Sequence, residues 1–321
     1  MNIVQMSHWS TTPNLYKLIL LLYVMVSATS LASYLYCPRK LFMSKVLLVE
    51  EAPKEALVKG TIWHATYEQL HLEEKAIVCA LKTASYLDIS DAYRRAIARF
   101  FKKAIIIHRK ELESFSIKMI DLFNEYWPFF EEEAKRRALN VSSFMEKTGF
   151  FGSELWDVLT PKILAERYFS SKKLNLSGII DCIEVHQRNG QEYYVPVELK
   201  TGKSPAKGMW EGHRVQLAAY LLLLEEEGKI VSEGILRYKG APDDRILMMN
   251  SLLRKEIFEL IILVQQILSS FEIPGYIENK NKCVSCPFKE VCYDVQQMQQ
   301  LLITAKSRQQ TLPPVQTISA Q

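Results

Sequence analysis

The sequence predicts a mixed α/β protein of the α+β type, in which helices flank a central sheet of mixed strand direction. Three observations support this prediction. Residues 75 to about 169 repeat apolar side chains every three or four positions, as amphipathic helices do, and form a large helical insertion. Residues 176–185 and 193–200 then alternate with a period of two, as strands do. Helical spacing returns in residues 211–227.

The other elements follow from the same periodicities. Residues 1–26 form an apolar extension, and the main domain covers residues 27–300. It begins with a predicted helix at residues 59–74, in which His64 and His71 are at helical spacing. The later elements are a strand, a helix, a cysteine-rich segment and a disordered tail, at residues 230–238, 252–271, 283–292 and 301–321.

Composition describes a globular protein in a reducing compartment. A chain of 321 residues with 48% apolar residues buries a large core without disulfides, and its six cysteines are too few for a disulfide scaffold. We therefore expect the cytoplasm. The apolar run at residues 15–26 is shorter than the roughly 20 residues that span a bilayer, so no membrane association is expected. A cleaved export signal is the alternative for this run.

The hairpin predicts a pair of facing carboxylates. If Asn189 and Gly190 form a two-residue turn, paired positions sum to 379, and Asp181 lies opposite Glu198 at a Cβ separation of roughly 5 Å. Lys200, two residues further along, points the same way. A one-residue bulge would break this register.

Two carboxylates at that distance repel unless a cation lies between them, and oxygen ligands select a hard ion such as Mg²⁺ or Mn²⁺. Such an ion acidifies a water molecule and polarises a phosphate, while Lys200 orients the water or stabilises charge on phosphorus. The pattern therefore predicts phosphodiester hydrolysis. A surface hairpin with alternating charges is the alternative.

Four motifs occur in an order that resembles a known nuclease family. They are Gly60-x-x-x-His64-x-x-x-Glu68, Ser177-Gly178-x-x-Asp181, Val197-Glu198-x-Lys200-Thr-Gly and Gln216-x-x-x-Tyr220. Over residues 26–294 the chain resembles the CRISPR-associated, RecB-like exonucleases that carry an iron–sulfur cluster, the fourth core CRISPR-associated family. This family belongs to the PD-(D/E)xK superfamily, so the resemblance implies a restriction-endonuclease-like core.

The resemblance also implies roles for individual residues. His64, Asp181, Glu198 and the backbone carbonyl of Leu199 would bind the metal, Lys200 would be catalytic, and Gln216 and Tyr220 would position substrate. Taken alone, His64 is a packed helix residue and Tyr220 a core residue. Glu166 is a further candidate carboxylate near the metal.

A second site is predicted from the cysteines. The spacing of Cys283, Cys286 and Cys292 allows three thiolates to reach one centre, and it leaves Zn²⁺ and iron–sulfur ligation open. The resemblance favours a [4Fe-4S] cluster with Cys37 as the fourth ligand, and [2Fe-2S] is the alternative. Cys79 and Cys182 are expected to be buried apolar residues.

The predicted activity is a metal-dependent exonuclease acting on single-stranded DNA or overhangs. The resemblance implies DNA trimming for CRISPR spacer acquisition beside the integrase complex. A general repair or replication nuclease and a non-catalytic, cluster-bearing subunit that binds DNA or the integrase are the alternatives. Basic residues between Arg94 and Lys110, with Phe100 and Phe101 interleaved, could contact DNA or form a solvated face. Cleavage polarity and oligomeric state stay open.

Overall fold

The computed structural model describes residues 24–311. Its strands are β1 (Val26–Ser27), β2 (Lys162–Ser171), β3 (Leu176–Arg188), β4 (Gln191–Lys200), β5 (Glu233–Tyr238) and β6 (Arg245–Met248). Its helices are α1 (Ala28–Tyr36), α2 (Pro38–Lys45), α3 (Glu55–Ala80), α4 (Tyr86–Ile107), α5 (Arg109–Ser114), α6 (Met119–Thr148), α7 (Gly152–Val158), α8 (Glu211–Glu226), α9 (Ser251–Leu268), α10 (Asn281–Val284), α11 (Lys289–Tyr293) and α12 (Val295–Thr311).

The strands form one mixed six-stranded sheet in the order β1-β3-β4-β5-β6, with β2 also paired to β3. The pairs β2–β3, β3–β4 and β5–β6 are antiparallel, whereas β1–β3 and β4–β5 are parallel. Because β4 and β5 are parallel, their connection must cross over, and α8 makes that crossover. The predicted mixed sheet flanked by helices is confirmed.

Helix α8 forms the centre of one core layer. Its residues Val215 to Leu224 are all buried, so the helix is covered on every side. Two glycines of the sheet let it approach closely. A Cβ atom at Gly178 would lie 2.8 Å from Tyr220, and one at Gly234 would lie 2.9 Å from Leu217. These contacts hold Tyr220 directly against strand β3.

The expected helical insertion is shorter than predicted. Its helices end at Val158, and Lys162–Ser171 form strand β2 rather than the end of a helix. This strand pairs with β3 on both sides of Glu166, across a turn of four residues at 172–175, so cross-strand pairing rather than helical spacing determines its structure. The helices α3 to α7 pack into a second core layer on the other face of the sheet, around Tyr93, Phe101 and Phe130.

The two ends of the chain meet in a third core cluster. It joins Phe42 and Met43 of α2 to Phe288, Met298 and Ala305 near the C-terminus. The predicted disorder from residue 301 is therefore wrong as far as residue 311, because buried residues at helical spacing hold α12 in place. Residues 312–321, and residues 1–23 of the predicted extension, lie outside the described residues.

Within residues 24–311, no helix combines the length and apolar character that crossing a membrane requires.

Candidate active site

The hairpin register agrees with the prediction up to the active-site residues. Pairs run from Arg188–Gln191 to Cys182–Val197, each summing to 379, and the ladder ends one pair before Asp181 and Glu198. The β2–β3 ladder is also interrupted there, because the pairs on both sides of Glu166 and Asp181 form while that pair does not. Asp181 thus lies at a local irregularity of both ladders.

This irregularity shifts the side-chain alternation of β3. Ile180 and Ile183 both join the core beneath α8, although they are three positions apart and regular strand alternation repeats every two. Glu166 has a left-handed backbone with φ of 45°, a conformation that few residues other than glycine adopt. The altered backbone leaves both carboxylates near α3, which supplies His64.

Three side chains converge on one possible cation position. Atom Nδ1 of His64 lies 3.4 Å from Oδ1 of Asp181 and 3.9 Å from Oε1 of Glu166. One ligand atom from each of the three falls within 4.8 Å of the others. A mixture of imidazole and carboxylate ligands suits Mn²⁺ and Mg²⁺, so these residues fit the expected metal.

Glu198 stands beside this group and is almost fully buried at 2% exposure. Its Oε1 accepts hydrogen bonds from Lys200 Nζ at 2.6 Å and from Gln216 Nε2 at 2.8 Å. Its Oε2 has no hydrogen-bond partner among the described residues. A buried carboxylate oxygen without a partner is costly, and a bound cation would satisfy it.

The carboxyl groups hold their protons unusually tightly. Burial raises the pKa of Asp181 to about 6. Burial, reinforced by Asp181, raises the pKa of Glu198 to about 7. Burial and Glu68 raise the pKa of Glu166 to about 7. A cation would reverse these shifts by favouring the ionised forms, which is the behaviour of a site built around a positive charge.

Leu199 approaches the cation position through its backbone. Its N–H donates to Oδ2 of Asp181 at 2.9 Å. In a strand, the N–H and C=O of one residue leave on the same side, so the Leu199 carbonyl also faces β3.

Gln216 and Tyr220 lie behind Glu198 and Lys200. They are 5% and 2% exposed, and Gln216 donates to the Tyr220 hydroxyl at 2.8 Å. The Gln216 Oε1 also accepts from Lys200 Nζ at 3.1 Å. Gln216 therefore contacts both Glu198 and Lys200, and Tyr220 supports Gln216 from the core side.

The site opens into a cleft of about 610 Å³. His64, Glu166, Asp181 and Lys200 line it, together with two residues to which sequence reasoning assigned no role, Glu68 and His213. Glu68 is one helical turn after His64, a spacing that places it on the same face of α3. His213 precedes Gln216 by three residues, so the helical spacing of α8 could have found it.

Other candidate residues lie outside the cleft. His71 is buried at 8% exposure, as expected of a packed helix residue. Cys182 is buried as expected, whereas Cys79 is only partly buried. Phe100 and Phe101 are 5% and 0% exposed, so of the two alternatives the one in which these rings stack on a base is wrong. Their rings pack into the helical core because they lie on the inner face of the amphipathic helix α4.

The four candidate cluster cysteines come together at the meeting of the chain ends. Burial raises the pKa of the Cys292 thiol, and the nearby thiols of Cys37 and Cys286 raise it further. Hydrogen bonds reach three of the sulfur atoms, from Arg39 Nε to Cys292 at 3.1 Å, from the Lys40 N–H to Cys37 at 3.4 Å and from the Tyr293 hydroxyl to Cys283 at 3.9 Å. Such donors favour negatively charged sulfur, as a cluster or metal requires.

Comparison with known proteins agrees with this geometry. The family model described as the PD-(D/E)XK nuclease superfamily matches residues 25–293. The chain belongs to the PD-(D/E)XK nuclease superfamily. The convergence of His64, Glu166 and Asp181 is consistent with the divalent-metal dependence of this superfamily.

Relatives of this PD-(D/E)XK nuclease include two CRISPR-associated exonuclease Cas4/endonuclease Cas1 fusions. The protein from Leptospira interrogans is 32% identical over 130 residues, which are 39% of this chain and 23% of the relative. That from Geobacter sulfurreducens is 33% identical over 128 residues, 38% of this chain and 22% of the relative. The expected similarity to CRISPR-associated RecB-like nucleases is thus confirmed.

A third relative is the DNA replication ATP-dependent helicase/nuclease JHS1 of Arabidopsis thaliana. It is 23% identical over 282 residues, which are 84% of this chain and 20% of the relative. The chain spans about a fifth to a quarter of the length of each curated relative.

Proposed function

We propose that this nuclease is an exonuclease that hydrolyses phosphodiester bonds of single-stranded DNA or overhangs with Mn²⁺ or Mg²⁺. The observation that carries the proposal is the cleft where His64, Asp181 and Glu166 converge beside the buried pair of Glu198 and Lys200. The word exonuclease in the names of two relatives supports the mode of cleavage.

In this proposal His64, Asp181, Glu198 and the Leu199 carbonyl are the metal ligands. The Glu166 carboxylate, which lies 3.9 Å from His64, joins them directly or through water. When bound, the metal supplies Lewis acidity to the scissile phosphate and to the attacking water.

Lys200 is the proposed catalytic residue. Its ammonium group lines the cleft, and it is held by Glu198 Oε1 at 2.6 Å and by Gln216 Oε1 at 3.1 Å. From this position it orients water and stabilises the negative charge that develops on the phosphate oxygens. Gln216 and Tyr220 act on substrate through these contacts, by holding the catalytic groups in place.

The proposed biological role is the trimming of DNA before its integration as a CRISPR spacer, with the integrase as a partner. The two Cas4/Cas1 fusion relatives support this role. A replication or repair nuclease is the second candidate, because the similarity to the Arabidopsis helicase/nuclease covers more of this chain. Six cysteines without disulfides favour the cytoplasm for either role.

We also propose that Cys37, Cys283, Cys286 and Cys292 hold a [4Fe-4S] cluster. A single zinc ion requires sulfur atoms about 3.8 Å apart, given Zn–S bonds of about 2.3 Å. Among the described residues, the only trio with ligand atoms all within 4.8 Å is His64, Glu166 and Asp181, so the cysteines are spaced more widely. That spacing supports a group larger than one ion.

Digestion of end-labelled single-stranded DNA with Mn²⁺ tests the nuclease proposal. We expect Lys200→Ala and Asp181→Ala to lower cleavage by at least about a hundredfold. Calorimetry should show Mn²⁺ binding retained in Lys200→Ala and lost in Asp181→Ala, because only the latter removes a ligand. Lys255→Ala, at an exposed lysine on α9, is the matched control. Residual activity equal to wild type in both active-site variants would contradict the assignment.

A further inference from the structure

A second groove adjoins the catalytic cleft. It has a volume of about 680 Å³ and lies between α1, α2, the start of α8 and the short helix α10. Lys200 and His213 line both cavities. A strand whose phosphate lies at Lys200 can therefore continue into this groove without leaving the protein surface.

The wall of the groove next to the cysteines is basic. Lys40 and Lys282 contribute to it, with Glu211 as the acidic residue of the lining. Among the residues that the structure describes, neither lysine forms an ion pair with a carboxylate. The groove thus carries a net positive charge that matches a phosphate backbone.

A single tyrosine ring positions both lysines. Their Nζ atoms lie 5.3 Å (Lys40) and 5.4 Å (Lys282) from the centre of the Tyr36 ring. The Tyr36 hydroxyl donates to the Lys282 carbonyl at 2.7 Å, and Lys282 Nζ donates to the Leu35 carbonyl at 3.0 Å. The ammonium groups are consequently held in place before any ligand arrives, which lowers the entropic cost of binding.

An exposed indole forms another part of the groove. Trp210 is 50% exposed although tryptophan is usually well buried. The orientation of the indole is fixed, because its Nε1 donates to the Lys203 carbonyl at 2.8 Å. The backbone N–H of Trp210 donates to the Tyr238 hydroxyl at 3.2 Å. A rigid, exposed aromatic ring beside basic residues is the combination that proteins use to stack unpaired bases.

We propose that this groove binds single-stranded DNA adjoining the scissile phosphate, with a base stacked on Trp210 and the backbone held by Lys40 and Lys282. The proposal rests on the proposed nuclease function and assigns it a strand-binding subsite. Stacking requires an unpaired base, so the groove should favour single strands over duplexes.

Fluorescence anisotropy with labelled oligo(dT), without added divalent metal, tests the groove. We expect Trp210→Ala to weaken binding roughly tenfold and Trp210→Phe to recover most of the affinity, because an aromatic face is restored. The double variant Lys40→Gln/Lys282→Gln should flatten the logarithmic dependence of affinity on salt by about 1.4, or about 0.7 for each lost phosphate contact. In cleavage assays the change should fall mainly on KM.

The control is Lys173→Gln/Lys255→Gln, which removes the same charge from two lysines whose side chains are 77% and 76% exposed. A blunt duplex of matching length should lose less affinity than oligo(dT) in the Trp210 variant.

If wild type cuts DNA and the groove variants keep its affinity and KM, or lose no more than the control, the groove proposal is overturned and the proposed nuclease function is retained. If wild type neither binds nor cuts DNA, the proposed function itself fails. Should Trp210→Ala unfold, the lysine double variant and Trp210→Phe decide the question.

Discussion

At the scale of single residues, Gln216 connects the side chains of Glu198 and Lys200. Its Nε2 donates to Glu198 and its Oε1 accepts from Lys200, so one amide determines where both groups lie. Gln216 borders the groove beside the cleft but is only 5% exposed, so its amide faces Glu198 and Lys200 more than it faces bound DNA. It is therefore a positioning residue, and its loss should affect the chemical step more than binding.

We expect Gln216→Ala to lower kcat about 10- to 100-fold with little change in KM, because substrate contacts are preserved while Lys200 loses an anchor. Gln216→Glu should not restore activity, because a carboxylate there would repel Glu198. The control is Gln265→Ala on α9, a buried glutamine whose amide donates to the Val24 carbonyl, far from the cleft. Steady-state kinetics on single-stranded DNA measures both constants, and an effect confined to KM would contradict the positioning role.

Local geometry explains which site residues the sequence could reveal. Asp181, Glu198 and Lys200 could be placed together because a two-residue turn sets the register of a hairpin. Glu166 could be named but not placed, since the turn at 172–175 that joins its strand to β3 has no Asn-Gly pair to set the register, and its backbone is left-handed. The Glu198 contact with Gln216 depends on how α8 packs on the sheet, which periodicity does not specify.

At the scale of elements, a buried ion network joins α3 to α6. Glu133 accepts from Arg137 Nε at 2.6 Å and also pairs with Arg136, while Arg137 Nη1 lies 2.5 Å from Glu74. Burial alone would raise the pKa of Glu133, but the Arg136 and Arg137 guanidiniums outweigh it and hold that pKa well below its ordinary value. The ionised carboxylate is thus required for this helix pair to be stable.

We expect Glu133→Gln to lower the free energy of unfolding by about 3–5 kcal/mol, because it removes one of the two carboxylates that pair with the buried Arg137 guanidinium. In wild type the unfolded state takes up a proton near its ordinary pKa of 4.5 while the folded state does not. The contribution of Glu133 is therefore present above about pH 4.5 and is lost as the pH falls below it.

Urea unfolding followed by circular dichroism between pH 3 and 7 measures both effects. Glu132→Gln is the control, since Glu132 is the adjacent residue and its side chain is 71% exposed. A Glu133 variant with the stability and acid sensitivity of the Glu132 variant would show that the network contributes nothing.

The elements that sequence reasoning missed share one cause. Strand β2 and helix α12 both gain their structure from contacts outside their own segments: β2 from the adjoining strand β3, and α12 from Phe42 and Met43 of α2. Helices α3, α4 and α6 could be recognised because their amphipathic spacing is local and repeated. Local pattern thus accounts for most of the helical layer and for the hairpin, but not for the edge of the sheet or the C-terminal helix.

At the scale of the whole molecule, Cys37, Cys283, Cys286 and Cys292 form a cysteine module that joins segments nearly 250 residues apart. Arg39 reinforces it, because its guanidinium donates to the carbonyls of Pro274 and Cys292, each at 2.9 Å. Cys37 is the N-cap residue of α2, which packs on the same C-terminal cluster. Ligation here would close a very long loop around the entire catalytic domain.

We expect Cys37→Ser to abolish the visible absorbance of the anaerobically purified protein and to lower its Tm by roughly 5 °C or more, because the cysteine module loses a ligand. Cys79→Ser, on α3 and outside the module, should retain both properties. Metal analysis distinguishes the cluster from zinc. A colourless wild type containing one zinc per chain would contradict the iron–sulfur assignment. It would still agree with a metal group that joins the two ends of the chain.

The left-handed backbone at Glu166 implies a compromise between thermal stability and metal binding. A glutamate there bears conformational strain of about 1 kcal/mol and adds a carboxyl group to an already acidic pocket. Asparagine tolerates that backbone and carries no charge, so Glu166→Asn should make the metal-free protein melt at a higher temperature yet bind Mn²⁺ more weakly. In thermal melts, Glu166→Asn should raise the Tm of the metal-free protein and reduce the further rise in Tm that Mn²⁺ produces. Selection for thermal stability alone would therefore favour replacement of Glu166 and weaken metal binding.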